Sequence, residues 1–194
     1  MPEHLLGIVL AAGAGTRMGR PKALCTTPEG EPWLHRAHGA LLAGGCGAVR
    51  VVLGAAADEA RGLVPAGAEV VVAERWRDGM SASLAAGLTG LTGPAAPVGA
   101  APPVAVVVTL VDLPDLDARA VRRVTAGPVA PGDLRRATSA GRPGHPVLIG
   151  RDHWAALAAG LHGDAGARDY LRTHPTVEVD CTDLPGDLDH DTPR

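Results

Sequence analysis

The chain has 194 residues, of which 46% are hydrophobic and 20% charged, and its formal net charge is −3. A composition of this kind folds most simply as one domain, residues 1–194, which buries about 70% of its unfolded-chain surface. The slightly negative charge argues against general affinity for nucleic acid or for an anionic membrane surface. Three cysteines form no C-x-x-C pair, so neither a disulfide framework nor a zinc site is expected. The sequence shows no signal-peptide layout and no run long enough to span a bilayer, which predicts a cytoplasmic protein.

Apolar runs that predict β-strands alternate with segments that predict helices. The predicted strands are Leu5–Leu10, Val49–Leu53, Glu69–Ala73, Val104–Val111 and Pro146–Ile149. The predicted helices are Pro32–Leu42, Asp58–Leu63, Met80–Leu91, Ala118–Val124 and Arg151–Leu161. Several strands are continuously apolar, which is typical of parallel strands covered on both faces. The expected fold is a single α/β domain with three α/β/α layers and a Rossmann-like, mostly parallel sheet. Residues 93–103 and 128–146 are interpreted as irregular connections.

A glycine-rich loop follows the first predicted strand. Residues 10–22 read L-A-A-G-A-G-T-R-M-G-R-P-K and combine three glycines with Arg17 and with Lys22, the only lysine of the chain. Glycines let backbone N–H groups turn toward one anion, and the two cations add charge that suits phosphate oxygens. The loop therefore predicts phosphate binding, although a glycine-rich turn that merely packs closely would have a similar sequence.

The sequence of this loop does not match the motifs of two common phosphate-binding loops. The dinucleotide fingerprint requires a third glycine where Met18 stands, and the glycine comes one position later, at Gly19. A Walker A loop requires Ser or Thr after its lysine, and Lys22 is followed by Ala23.

Carboxylates follow the buried strand Val104–Val111. Asp112 stands one step beyond this strand, at the edge of the sheet where ligands bind, and is a candidate magnesium ligand, with Asp115 as a possible helper. The alternative is that Asp112 caps the next turn, but Asp117 is better placed to cap the helix that begins at Ala118.

Two further segments carry candidate ligand residues. In the loop at residues 74–84, Ser81 and Ser83 either bind an anion at a helix N-terminus or simply cap the helix. In the second irregular region, Arg142 and His145 either touch an acceptor substrate or are ordinary loop residues.

Six blocks of sequence resemble motifs of one family in the same order. Residues 10–22 match the loop L-A-A-G-x-G-x-R-M-G-x-P-K, residues 79–88 the block G-M-S-x-S-L-x-x-G-L, and residues 112–114 the metal motif D-x-P. Further blocks are G-H-P-V-L at 144–148, G-D-x-G-A-R at 163–168 and D-x-D-T-P at 189–193. Together they resemble the MobA-like NTP transferases, in particular the molybdenum cofactor cytidylyltransferase branch. Two departures are the long Pro/Ala-rich connector and the end of the chain directly after the last motif.

The resemblance implies a fold, a reaction and a set of site residues. It implies a nucleotidyltransferase with a GT-A-like fold that uses magnesium to transfer CMP from CTP to molybdopterin and releases pyrophosphate. Arg17, Lys22 and Asp112 would be catalytic, Asp112 and Asp189 would hold the metal, and Arg142 and His145 would bind the acceptor. The nucleotide would be bound by Leu10, Ala11, Ala12, Gly13, Gly15, Thr16, Arg17, Lys22, Glu74, Gly79, Ser81 and Ser83. Ala12 would favour CTP over GTP, and a molybdoenzyme or its maturation factor would be a protein partner.

Other functions remain open from the sequence. Within the family, a guanylyltransferase or a transferase with a phosphosugar or phospho-acid acceptor fits the loop equally well. Outside it, the alternatives are a dinucleotide-binding oxidoreductase, which the incomplete fingerprint disfavours, and a non-catalytic cofactor carrier. The acidic tail that includes Asp189 could equally be a solvated terminus.

Overall fold

One sheet organises the computed structural model, which describes residues 5–91 and 102–186. Within these ranges the sheet has seven strands in the order β3-β2-β1-β4-β6-β5-β7. They are β1 (Leu5–Ala11), β2 (Ala48–Leu53), β3 (Glu69–Val72), β4 (Ala105–Leu110), β5 (Leu134–Ser139), β6 (Arg142–Gly150) and β7 (Val177–Asp180). The first four pair in parallel, whereas β6 is antiparallel to both β4 and β5. The mostly parallel α/β sheet that was predicted is therefore confirmed.

Helices cover both faces of the sheet. They are α1 (Trp33–Ala43), α2 (Ala57–Arg61), α3 (Met80–Leu88), α4 (Ala118–Val124), α5 (Trp154–Gly160) and α6 (Arg168–Thr173). Side chains of α1, α2 and α4 pack in one hydrophobic core, and those of α3, α5 and α6 pack in the other. The strand β1 contributes Val9 to the first core and Ile8 to the second, because successive side chains of a strand point to opposite faces. The domain thus has three layers.

The cores are built mainly from Val, Leu, Ile and Ala, with Trp33 in one and Trp154 in the other, and the chain has no Phe. All three cysteines are buried and unpaired, as expected from their spacing. Burial raises the pKa of the Cys46 thiol to about 12, so this group stays protonated at neutral pH. The cysteines therefore act as small apolar residues of the core.

The predicted elements are present with shifted ends. Helix α3 ends at Leu88 rather than Leu91, and the predicted helix at residues 151–161 is a 3₁₀ turn, Arg151–His153, followed by α5. Asp117 caps α4, because its side chain accepts a hydrogen bond from the Arg119 N–H at 2.7 Å. In the part of the chain that the structure describes, no helix is both long enough and apolar enough to cross a membrane.

The interpretation of residues 128–146 as irregular is wrong. This segment contains β5 and the first part of β6, joined by the two-residue turn Ala140-Gly141, in which φ is 49° and 75°. Positive φ at both positions is typical of a tight hairpin turn. Polar residues of β5 and prolines of β6 obscure the strand pattern, and neither β7 nor α6 was predicted. Most of the predicted connection at residues 93–103 lies outside the described residues.

Candidate functional site

The glycine-rich loop and Asp112 lie at the same edge of the sheet. Strands β1 and β4 are parallel neighbours, with Leu10 paired to Leu110, and the Val111 N–H donates to the Leu10 carbonyl at 3.1 Å. Because both strands end at this edge, the segments that follow them meet there. The position agrees with the rule that ligands of open α/β sheets bind beyond the carboxyl ends of the strands.

The loop has a tight conformation that depends on Gly15. Its φ of +60° lies in the left-handed region, and a Cβ atom here would stand 1.9 Å from the Arg20 carbonyl oxygen. The Gly15 carbonyl in turn accepts a hydrogen bond from the Met18 N–H at 2.9 Å. By contrast, a Cβ at Gly13 would meet nothing within 4 Å. Gly15 is thus required by the loop itself, whereas Gly13 leaves open space next to the backbone.

Lys22 and Asp112 form an ion pair across this edge. Lys22 Nζ lies 2.5 Å from Asp112 Oδ2, and the two side chains are only 17% and 13% exposed. The other carboxylate oxygen, Asp112 Oδ1, is buried and accepts no hydrogen bond from any residue in the described ranges. A buried oxygen of this kind lacks a partner that a bound cation or donor would supply.

A cavity of about 440 Å³ is lined by both residues of this pair. It contains eleven of the predicted site residues, namely Leu10, Ala11, Ala12, Gly13, Gly15, Thr16, Arg17, Lys22, Gly79, Ser83 and Asp112. Its walls combine the glycine loop with three cationic side chains and two carboxylates, a combination that suits a polyphosphate with a metal ion.

Two predicted nucleotide residues lie elsewhere. Glu74 is exposed and does not line the cavity. Ser81 is buried, and its hydroxyl donates to the His162 carbonyl at 2.9 Å and accepts from the Gly166 N–H at 3.1 Å. Its own N–H donates to the Gly163 carbonyl at 3.0 Å. The expectation that Ser81 offers these groups to an anion therefore needs correction, because they hold the loop at residues 162–166 against α3.

A second cavity, of about 300 Å³, adjoins the first and shares Leu10, Met80 and Leu110 with it. Its other lining residues are Leu84, Val108, Leu113, Arg136, Pro143, Gly144, His145, Val147, Ile149, Ala165, Gly166, Ala167, Arg168, Leu171 and Gly186. His145 is among them, and its Nδ1 lies 3.2 Å from the Val108 carbonyl oxygen, so that Nδ1 carries the proton. Arg142 is exposed at the start of β6 and is not part of either wall, contrary to its expected role as an acceptor ligand.

Several lining residues were not selected from the sequence. Trp76 and Arg77 line the first cavity, with the Arg77 guanidinium 4.3 Å from the centre of the Trp76 ring. Asp164 also lines it and approaches Gly79 so closely that a Cβ there would stand 2.3 Å from Asp164 Oδ1. The G-D-x-G-A-R block was a usable signal for Asp164, whereas Arg136 lies in a segment mistaken for a loop.

Of the two predicted metal ligands, Asp112 and Asp189, only Asp112 lies within the residues that the structure describes. No cluster of three or more His, Cys, Asp or Glu side chains that could hold a metal occurs within residues 5–91 and 102–186. The second predicted ligand, Asp189, lies outside the described residues. Any metal at Asp112 would therefore need further oxygen ligands from a bound phosphate, from water or from the terminal segment.

The fold and the cavity together define an α/β domain of the nucleotidyltransferase type. Comparison with protein families agrees, because the model of the MobA-like NTP transferase domain matches residues 7–179. The chain belongs to this family, which confirms the family that its motifs resemble.

Individual relatives cover nearly the whole chain. Nicotine blue oxidoreductase of Paenarthrobacter nicotinovorans is 35% identical in an alignment 192 positions long, which covers 96% of this chain and 91% of that protein. The structure of Rv0371c from Mycobacterium tuberculosis H37Rv is 29% identical, with a TM-score of 0.77 over 99% of this chain and 94% of that one. A complex of Rv0371c with manganese is 27% identical, with a TM-score of 0.72 over 96% and 93% of the two chains.

Proposed function

We propose that this protein is a magnesium-dependent nucleotidyltransferase that transfers CMP from CTP to a phosphorylated small-molecule acceptor, with molybdopterin as the favoured acceptor. The family supports nucleotidyl transfer in general, and the choice of CTP and molybdopterin follows from the resemblance of the motifs. The observation that carries the proposal is the Lys22–Asp112 pair in the glycine-lined cavity, with its buried and unpartnered Asp112 Oδ1.

The residues around Asp112 fit a divalent cation. A carboxylate oxygen is a hard ligand of the kind that Mg²⁺ prefers, and Oδ1 has no partner within the described ranges. The manganese complex of Rv0371c supports a divalent ion in a protein of this fold. When bound, the ion would neutralise the triphosphate and the pyrophosphate that leaves it.

The remaining chemistry is positioning and charge stabilisation. An oxygen of the acceptor phosphate attacks the α-phosphorus of the triphosphate, the bond from that phosphorus to the bridging oxygen breaks, and its electrons leave with pyrophosphate. Lys22 and Arg17 hold the negative charge that develops, while Gly13 and Gly15 present backbone N–H groups. Leu10, Ala11 and Ala12 line the same cavity and would face the base.

The preference for CTP and the transfer reaction are tested in separate experiments. Thermal unfolding in the presence of magnesium and CTP, GTP, ATP or UTP should show the largest stabilisation by CTP, because a ligand that binds only the folded state stabilises it. Release of pyrophosphate is then measured with molybdopterin and with a phosphosugar as acceptors. Equal stabilisation by all four nucleotides would remove the preference for CTP, and absence of pyrophosphate release with every acceptor would contradict the enzyme class.

A second candidate function is an oxidoreductase on the same fold. The 35% identity to nicotine blue oxidoreductase, over nearly the full length of both chains, favours it. The same cavity would then hold the pyrophosphate of a dinucleotide cofactor instead of a triphosphate. Titration with NADH, NADPH and CTP, followed by an assay for oxidation of the reduced nucleotide, separates the two functions, since a transferase binds CTP more tightly and does not consume NADH.

A further inference from the structure

We propose that Arg136 recognises an oxyanion at the far end of the acceptor, and that the acceptor contains a flat ring system. This inference rests on the proposed function only in treating the molecule in the second cavity as the acceptor. It moves the acceptor contact from Arg142, which is exposed and outside both cavities, to a residue six positions earlier that lines the second cavity.

The sheet places Arg136 at the end of an apolar row. Arg136 on β5 pairs with Val147 on β6, Val147 pairs with Val108 on β4, and Val108 pairs with Ile8 on β1. Val108 and Val147 belong to the core on one face of the sheet and also line the second cavity with Arg136. Neighbouring strands are about 4.8 Å apart, so the Arg136 backbone stands about 10 Å from β4 at the level of Val108. Asp112 follows Val108 by four residues, so an acceptor that reacts near Asp112 must extend along β4 as well as across β6 to reach Arg136.

One hydrogen-bond donor of the Arg136 guanidinium group has no acceptor among the residues that the structure describes. The side chain is only 16% exposed, and its Nη2 donates to Glu178 Oε1 at 2.6 Å across the strand pair β5–β7. Its Nε is buried and makes no hydrogen bond with any residue that the structure describes. A buried donor without an acceptor is unfavourable, and an oxyanion in the adjoining cavity would satisfy it with a charge-assisted bond.

Besides Arg136, the polar side chains that line the second cavity are His145 and Arg168. The rest of its lining is mainly apolar and includes Leu10, Leu84, Leu110, Val147 and Leu171. Sugar hydroxyls against these side chains would lose their hydrogen bonds to water without gaining new ones, which is costly. A flat ring buries its faces against such walls at no such cost. The cavity therefore favours an aromatic acceptor over a phosphosugar.

The alternative is that Arg136 has only a structural role, in which its ion pair with Glu178 stabilises the fold. In that case Arg136 would matter only for stability, and removing Glu178 would have the same effect on binding as removing Arg136. If Arg136 binds the oxyanion, Glu178→Gln leaves the guanidinium in place and preserves binding. The two roles thus differ in a measurable way.

The test uses four probes and isothermal titration of the full chain. Naphthoate and naphthyl phosphate carry an oxyanion on a flat apolar ring, naphthamide is a neutral analogue, and a hexose phosphate is a polar anion. We expect the unmodified protein to bind one or both naphthyl anions about tenfold or more tightly than naphthamide and the hexose phosphate, as suits a charge-assisted bond. A preference for naphthoate would point to a carboxylate, and one for naphthyl phosphate to a phosphate ester.

Three variants test whether the preference for the naphthyl anions depends on Arg136. Arg136→Gln should remove it, whereas Glu178→Gln and the matched surface control Arg142→Gln should retain it, with thermal unfolding as the check of folding. Equal binding of naphthamide and both anions by the unmodified protein overturns the proposal even if Arg136→Gln does not fold. Retention of the preference by folded Arg136→Gln, or binding of the hexose phosphate as tightly as naphthoate, overturns it as well. Pyrophosphate release is measured independently, so an inactive protein that keeps the preference contradicts the proposed function alone.

Discussion

Lys22 Nζ and Asp112 Oδ2 are 2.5 Å apart, although the two residues are separated by 90 positions in the sequence. Lys22 follows the glycine loop after β1, and Asp112 follows the neighbouring strand β4. The pair joins the two segments that the proposed reaction needs, one for the phosphates and one for the metal. Both side chains are mostly buried, so solvent screens their interaction only weakly.

Replacing Lys22 tests its role on the phosphates. Lys22→Ala should slow nucleotidyl transfer about 10²–10³-fold, because it removes a charge that stabilises the developing negative charge. Arg20→Ala is the matched control, since Arg20 is an exposed cation of the same loop that does not line the cavity. Steady-state rates of pyrophosphate release provide the measurement, and equal rates for both variants would contradict the assignment.

Replacing Asp112 tests the metal. Asp112→Asn should abolish magnesium-dependent transfer, because an amide oxygen is a weaker ligand than a carboxylate. Asp58→Asn is the control, because Asp58 is an exposed residue of α2 that lines neither cavity. Activity is titrated against magnesium for each protein. An Asp112→Asn enzyme with an unchanged magnesium dependence would refute the role as a ligand.

Two glycine variants separate the shape of the loop from its contact with phosphate. Gly15→Ala should lower both stability and CTP affinity, since its φ is +60° and the new Cβ would stand 1.9 Å from the Arg20 carbonyl oxygen. Gly13→Ala should leave the melting temperature nearly unchanged, because the added Cβ meets nothing within 4 Å, and should weaken CTP binding alone. Thermal unfolding with and without CTP measures both effects. Unchanged CTP affinity in Gly13→Ala would remove that residue from the proposed site.

Replacing each of the two serines at the start of α3 should lower the free energy of unfolding by different amounts. Ser81→Ala should cost about 1–3 kcal/mol of unfolding free energy, because the buried Gly166 N–H and the His162 carbonyl lose their partner. Ser83→Ala should cost well under about 1 kcal/mol, since its hydroxyl makes one long bond of 3.5 Å to the Gly79 carbonyl within the same helix. Urea unfolding of both variants gives the comparison, and equal losses would mean that Ser81 does not anchor the loop at 162–166.

The pH dependence of stability should include a contribution from Asp183. A hydrogen bond from the Arg123 guanidinium lowers the pKa of Asp183 from 3.8 to about 2. Because the folded state favours the ionised form, this stabilisation is present above the unfolded pKa and is lost as pH falls from about 4 to about 2. Asp183→Asn should therefore be less stable than the unmodified protein at neutral pH, and the two should become equally stable only below about pH 2. The difference should also shrink at high salt, since the pair is exposed.

The elements that were best predicted from the sequence are those whose local run of apolar residues matches their burial in the fold. The continuous apolar runs at β1, β2 and β4 and the loop that follows β1 were predicted within one or two residues, because both faces of these strands are buried. Strand β5 was missed because Arg135 and Arg136 interrupt its apolar pattern. Arg136 pairs with Glu178, 42 positions away, and Arg135 donates to the Ala126 carbonyl as well as to the neighbouring Asp133, so the local sequence does not identify them as strand residues.

Contacts across the fold explain the remaining differences. A serine at a helix start resembles an anion ligand in sequence, but the partners of Ser81 come from a loop 81 and 85 positions later. Likewise, the sequence selected Arg142 as an acceptor ligand, whereas the residue that lines the second cavity is Arg136 on the paired strand β5. These choices depend on long-range packing, which a single sequence does not display.

The antiparallel strand β6 separates the walls of the two cavities. Its amino-terminal end meets the ligand edge, so the hairpin β5–β6 supplies walls of the second cavity without contributing to the glycine loop or to the Lys22–Asp112 pair. Under the proposed function, mutations in the hairpin should change which acceptor is used and leave the binding of the triphosphate intact. The hairpin is therefore the segment to exchange with a relative of this chain when their specificities are compared.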